Sequence, residues 1–117
     1  QRFRRVVQKA LTSLYDHVDL IVTPTLSVGA IPLDVLGPSL GAWFEQLQTP
    51  YWDLTGNPVI SAPAGFTAAG LPLGIQIAGR PFDEAAVLRA ADAMQTRTDW
   101  HLALPAMTAD AIAAIAA

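Results

Sequence analysis

Val59-Ile60-Ser61-Ala62 and Leu73-Gly74-Ile75-Gln76-Ile77-Ala78 decide how the rest of this chain is read. Both are short apolar runs with β-branched residues, and Gly65, Gly70 and Pro72 between them supply turn chemistry. They read as an antiparallel hairpin with a longer loop. Just beyond, Gly79-Arg80-Pro81-Phe82 leads into Asp83, a good helix N-cap, and Glu84, which favours the positive end of a helix. Ala86, Val87, Ala90, Ala91 and Met94 then share one helical face as far as about Thr98.

Working towards the N-terminus, Tyr51 to Pro58 reads as a short helical turn closed by Gly56. Pro50 limits a second short helix over Leu40 to Gln48 that carries Trp43, Phe44 and Leu47. From Ser27 to Ser39, Pro32, Pro38, Gly29 and Gly37 describe an irregular crossing loop. Val18 to Val22 reads as a short strand ended by Pro24, which cannot donate to a sheet ladder. Phe3, Val6, Val7, Ala10, Leu11, Leu14 and Tyr15 recur at three- and four-residue steps and define a first helix, with Arg2, Arg5, Gln8, Lys9 and Thr12 on its other side. Towards the C-terminus, Trp100 to Pro105 reads as extended, and Ala109 to Ala116 as a weak helix capped by Thr108. The order is α, β, loop, α, β, β, α. It predicts an α/β chain, a mixed sheet flanked by helices, forming a single unit over residues 1–117 with too few strands for a comfortable sheet alone.

Composition narrows the function classes. Of 117 residues, 52% are apolar and 15% charged, which excludes disorder and leaves little charge for a small free-standing surface. The excess apolar area is expected to be covered by other protein, and the chain, taken alone, to self-associate through an exposed sheet edge or helix face. Net charge is -3, and the basic residues are scattered apart from Arg2, Arg4 and Arg5. No nucleic-acid footprint is therefore expected, and no apolar run is long enough for a membrane span. The absence of cysteine excludes disulfides and thiolate metal sites and fits a reducing, cytoplasmic setting. The first residue already falls within a helical pattern, so the chain reads as part of something longer.

Candidate chemistry is sparse. Gly37-Pro38-Ser39-Leu40-Gly41 matches Gly-x-Ser-x-Gly, the pattern of a nucleophile elbow. Pro38 fits a tight strand-to-helix turn poorly, and no oxyanion segment precedes it, so a helix-capping loop serine is the better reading. His17 and His101 have no carboxylate at ligand spacing, and no metal site is expected. Adjacent Asp83 and Glu84 diverge on a helix and serve as helix-start charges, at most paired with Arg80 at the surface. Lys9, the only lysine, sits on a polar helix face where water keeps it charged, unsuited to act as a neutral base. Gly74, inside a strand, reads as a place where another backbone comes close. Trp43, Phe44, Tyr51 and Trp52 concentrate aromatic area in one proline-interrupted segment, either as core packing or as a pocket wall.

Three segments in order resemble the C-terminal part of amidase-signature enzymes. They are Asp19-Leu20-Ile21-Val22-Thr23-Pro24-Thr25, then Leu54-Thr55-Gly56-Asn57-Pro58-Val59-Ile60-Ser61-Ala62-Pro63-Ala64-Gly65. The third is Gly70-Leu71-Pro72-Leu73-Gly74-Ile75-Gln76-Ile77-Ala78-Gly79-Arg80-Pro81-Phe82-Asp83-Glu84. The resemblance runs from the first helix to Trp100-His101. It implies the closing part of a mixed-sheet fold whose chemistry uses a serine nucleophile, a second serine in a cis peptide and a neutral lysine. The glycine- and serine-rich stretch that carries the nucleophile has no counterpart here, and Ser13, Ser27, Ser39 and Ser61 stand in other contexts. No catalytic residue carries over.

The resemblance does imply a substrate-facing wall before Leu54-Thr55-Gly56-Asn57-Pro58. The candidate substrate-binding residues are Trp43, Phe44, Gln46, Thr49, Trp52 and Asp53. Asp53 stands where relatives commonly carry asparagine, and an ionised aspartate only accepts hydrogen bonds. The implied activity is hydrolysis of a small-molecule carboxamide through an acyl-serine, without cofactor, by a larger protein of which this chain alone is inactive. Two alternatives stay open: the A-subunit of a glutamine-dependent aminoacyl-tRNA amidotransferase, and a non-catalytic interaction module.

Overall fold

A computed structural model describes residues 1–35, 41, 44–105 and 113. Apart from residue 113, the predicted C-terminal helix lies outside the described residues, as do Ser39 and Trp43. Helix α1 is Arg2–Tyr15, strand β1 Ile21–Pro24, helix α2 Pro50–Thr55, strand β2 Val59–Phe66, strand β3 Pro72–Ala78 and helix α3 Glu84–Gln95. The strands form an antiparallel sheet in the order β1-β3-β2, so the expected hairpin is present with β3 at the centre.

Two expectations need correction. Trp100–Leu102 is a turn of 3-10 helix rather than extended chain. The indole of Trp100 lies against Gly65, where a β-carbon would sit 3.7 Å from Cε2. That contact fixes Trp100 on the hairpin, and the backbone turns to deliver it. The first strand begins at Ile21 rather than Val18 and includes Pro24, paired with Ile75.

Ladder parity explains why Pro24 is tolerated. Thr25 N–H donates to the Gly74 carbonyl at 2.9 Å. In an antiparallel pair the bonded positions alternate, so Thr23 and Ile21 also face β3 while Pro24 and Val22 point outward. On the other edge, Gly79 N–H donates to the Pro58 carbonyl at 2.9 Å. The same alternation turns Ile60 and Ala62 towards β3 and aims the nitrogen of Pro63 outward. Each edge strand therefore carries a proline where its missing N–H costs no ladder bond. Each also presents a shortened run of donors to any further strand, a recognised restraint on edge pairing.

Pro58 lacks the N–H that would complete the bonded pair with Gly79. Asn57 fills the gap: its Nδ2 donates to the Gly79 carbonyl at 2.7 Å. Asn57→Ala leaves that carbonyl short of a partner and is expected to cost about 1–2 kcal/mol, measured by urea unfolding. Asn57→Asp, which has no donor when ionised, is expected to cost at least as much. A variant as stable as the parent would remove this account of the Asn-Pro pair.

The core is small: Tyr15, Trp52, Ala62, Ile77, Ala78, Val87 and Ala91. Helix α3 starts where expected, with the Asp83 carboxylate accepting from Ala86 N–H at 3.3 Å, and buries Val87 and Ala91. Gln76, 3% exposed, donates from Nε2 to the Pro24 carbonyl at 3.1 Å, so the buried amide in the central strand is partnered across the ladder. Helix α1 packs on α2 through Gln8, whose Nε2 donates to the Thr55 carbonyl at 2.8 Å, while Arg4 lies beside Gly56. That leaves half of its apolar periodicity uncovered: Phe3 is 70% and Val6 67% exposed.

Tyr15 closes α1, buried at 3% exposure, with its hydroxyl lacking a partner. Burial raises its pKa above the ordinary 10.0, and the nearby Arg80 pulls the other way. A raised phenol pKa means the unfolded chain loses its proton first. The contribution is complete below pH 10 and is lost as pH rises beyond it. Tyr15→Phe removes an unpaired hydroxyl together with that ionisation. It is expected to match or exceed the parent in stability at neutral pH, by up to about 1 kcal/mol, and to flatten the decline above pH 10. Parallel unfolding curves at neutral and alkaline pH test both halves.

Candidate functional site

The candidate wall is built by a short extension of the sheet. Past Pro24 the chain pairs with residues 46–48: Leu26 bridges Leu47, Ser27 N–H donates to the Gln46 carbonyl at 3.0 Å, and Gln48 N–H donates to the Thr25 carbonyl at 3.2 Å. The Gln48 side chain donates to Ser27 Oγ at 2.6 Å. The predicted helix over Leu40 to Gln48 is therefore cut short, with turn at Glu45 and Gln46 and the bridge at Leu47. Helix α2 follows directly, Pro50 in its first turn and Gly56 closing it in the left-handed region at φ 77°, its N–H on the Trp52 carbonyl at 2.7 Å. A residue without a β-carbon is needed at that φ.

Six residues were candidates, and the structure places five. Phe44 is exposed, Gln46 and Thr49 are half-buried, and Asp53 is exposed on the first turn of α2. Trp52 is 8% exposed with its indole N–H unpartnered, so in this chain it is part of the core. Trp52 and Asp53, adjacent on a helix, point about 100° apart. None of the five lines the cavities described here.

Those cavities lie elsewhere. One of about 480 Å³ runs between β2 and α3, lined by Val59, Ile60, Val87 and Leu88 among others. Two share Thr12, Tyr15 and Pro81 at the end of α1. A further cavity of about 170 Å³ sits where the crossing loop meets the sheet, with Thr25 and Ser61 in its wall. Thr25 Oγ1 and Ser61 Oγ are 2.9 Å apart across Gly74, where a β-carbon would come within 3.0 Å of Thr25 Oγ1. Gly74 is thus kept small by a side-chain hydroxyl, not by the neighbouring backbone expected from its place in a strand. Sequence reasoning overlooked this pair. Its signal was Thr25 opposite Gly74, with Ser61 opposite Gln76, one same-face step along β3.

Arg80 does not pair with Asp83 or Glu84. Its NH2 donates to the carbonyls of Tyr15 at 2.7 Å and Val18 at 3.3 Å, and lies 3.3 Å from Asp19 Oδ1. Lys9, His17 and His101 are exposed. Of the serines, Ser13 Oγ donates to the Lys9 carbonyl, Ser27 accepts from Gln48 and Ser61 meets Thr25; Ser39 lies outside the described residues. None of these partners is a base suited to activating a nucleophile. Among the described residues no cluster of His, Cys, Asp or Glu could hold a metal, and no helix is long and apolar enough to cross a membrane.

A sheet of this order carrying these segments defines part of an amidase-type fold. The Amidase family profile matches residues 1–88, and the chain belongs to the amidase signature family. It is similar to the A-subunit of glutamyl-tRNA(Gln) amidotransferase from Chloroflexus aggregans, 38% identical over 106 residues, 90% of this chain and 22% of that protein. The chain thus spans about a fifth of the length of the curated relatives it matches. Among solved structures it is similar to the corresponding protein from Thermotoga maritima, with TM-score 0.67 and 33% identity over 75% of this chain and 19% of that one. It shares its fold with a bacterial aryl acylamidase of the amidase signature family, with TM-score 0.66 and 24% identity over 85% of this chain and 22% of that one.

Proposed function

We propose that this chain is the C-terminal part of an amidase that hydrolyses a carboxamide through an acyl-serine intermediate. It supplies sheet strands, covering helices and part of the substrate pocket, while nucleophile and base come from polypeptide beyond it. The observation that carries this reading is the likeness, over 90% of this chain, to proteins about five times longer, joined to an α1 face on which Phe3 is 70% and Val6 67% exposed. Ser13, Ser27 and Ser61 fit the same picture, since their hydrogen bonds run to a carbonyl, an amide and a hydroxyl rather than to a base.

The test is to express the whole reading frame that contains these residues and to measure ammonia or amine release from a series of carboxamides. Release that depends on a serine and a lysine outside residues 1–117 is the expected result. A complete product without such residues, or without turnover, would overturn the reading. The amidotransferase alternative is favoured by the names of the curated relatives. It requires that glutamine be the preferred amide and that turnover respond to partner proteins; a preference for simple amides without partners decides against it.

A further inference from the structure

We infer that Phe82 is a docking anchor, an exposed ring held ready to enter an apolar socket on the polypeptide that completes the enzyme. The inference rests on the amidase reading, which supplies that polypeptide, and it names the residue through which this chain engages it. Phe82 is 94% exposed, the most exposed of the large apolar side chains among the described residues. Its backbone φ is 65°, and no other described residue apart from glycine lies in the positive range. For a bulky side chain that conformation is an outlier.

The local chain accounts for the φ but not for the ring. Asp83 N–H donates to the Arg80 carbonyl at 3.0 Å, closing a four-residue turn. Pro81 suits the second place of such a turn, and a positive φ at the third suits glycine or asparagine. Phenylalanine there raises the unfolding equilibrium constant about five- to thirtyfold over a residue at ease with that φ. Phe82 also stands one place before the helix cap Asp83, where an apolar residue ordinarily staples onto the residue four places past the cap. That residue, Val87, is 3% exposed and already covered, while the ring stays in water.

The turn is fixed from both sides. Arg80 holds the carbonyls of Tyr15 and Val18, and the Asp83 carboxylate accepts from Ala86 N–H. Hollows lie to either side along the chain: Pro81 lines two of them, and Asp83 lines another of about 450 Å³ with Asp19, Leu20 and Arg89. A single aromatic ring between polar hollows has the form of an interface anchor, an apolar contact rimmed by polar groups. Its backbone is ordered before docking, so little further entropy is lost on contact. The occupant is the enzyme's own polypeptide. The turn lies inside the family match over residues 1–88, and the relatives carry about four-fifths of their length beyond the part this chain matches.

The experiment uses the lack of cysteine in residues 1–117. Phe82→Cys puts one thiol at the turn, and its reaction with a maleimide in dilute solution is followed by mass spectrometry of the peptide containing position 82. Two proteins are compared, the 117-residue chain and the product of the whole reading frame. In the whole protein the thiol is expected to react at least about thirtyfold more slowly, since a docked position is reached only through local opening. Phe82→Gly is the second arm. It is expected to lower the unfolding equilibrium constant of the 117-residue chain about threefold, the relief of strain less the added freedom of an unfolded glycine. In the whole protein the same change is expected to raise that constant at least about tenfold, because a buried ring is lost. Equal thiol rates in the two proteins overturn the inference, as does stabilisation of both by Phe82→Gly. If the thiol is protected while no carboxamide is cleaved, docking stands and the amidase reading fails. If carboxamides are cleaved while the thiol reacts equally fast in both proteins, the ring is undocked and the amidase reading stands.

Discussion

Arg80→Met is expected to lower the unfolding free energy by about 2 kcal/mol, moving the urea midpoint down by about 1–2 M. The guanidinium reaches back from the end of β3 to the carbonyls of Tyr15 and Val18, the last residue of α1 and a residue of the connection to β1. It thereby ties the C-terminal end of a helix to the strand that follows. Hydrogen bonds from a charged donor contribute about 1.5–3 kcal/mol each when well made, and the 2.7 Å bond to Tyr15 is the better of the two. The Asp19 ion pair contributes little, since its carboxylate is 90% exposed and the arginine side chain 47%. Asp19→Asn is therefore expected to change stability by less than about 0.5 kcal/mol. Both carbonyls are held by the same terminal nitrogen, so Arg80→Lys, which keeps a multiply donating cation on a shorter reach, is expected to lose less than Arg80→Met. Should Asp19→Asn prove as costly as Arg80→Met, the ion pair and not the carbonyl clamp would be the source of the stability.

Gly79→Ala is expected to destabilise by about 1–3 kcal/mol through overpacking. A β-carbon at this position would meet Val87 Cγ2 at 2.7 Å and the Asp83 carbonyl at 3.3 Å. No strained backbone is involved, because the φ of Gly79 is not in the positive range. The contact is the price of seating α3 directly on the end of the sheet. A double-mutant cycle separates the two obstacles. Val87→Ala removes the flexible one, so the double variant should be more stable than the sum of its parts by about 1 kcal/mol or more. The Asp83 carbonyl stays where it is, so relief should be incomplete. Additive losses would mean that Gly79 is required for some reason other than helix seating.

Much of the fold was legible because the signals were local. Asp83 before an apolar face, Gly56 after Pro50-Tyr51-Trp52, and two β-rich runs split by Gly65, Gly70 and Pro72 each specify their element through φ, ψ and periodicity. The misreadings came where contacts distant in sequence decide. Trp100 turns because Gly65, far back in the chain, leaves room for an indole. Pro24 stays within its strand because parity with Gly74 points its nitrogen outward. The candidate wall was legible as a segment but not as a site. Aromatic content alone could not show that Trp52 would enter the core while Asp53 remained in water.

By itself, then, the sequence determined the family, the order of elements and the central hairpin. Each of these is written in residue type at short spacing. Only the tertiary structure decided what Arg80 holds, which carbonyl Asn57 satisfies and why Gly74 must stay bare. Those depend on register across three strands, which brings Thr25 and Ser61 together across Gly74 from positions 36 residues apart. Such proximity follows from how the ladder is paired, a property of the assembled sheet that no single segment contains.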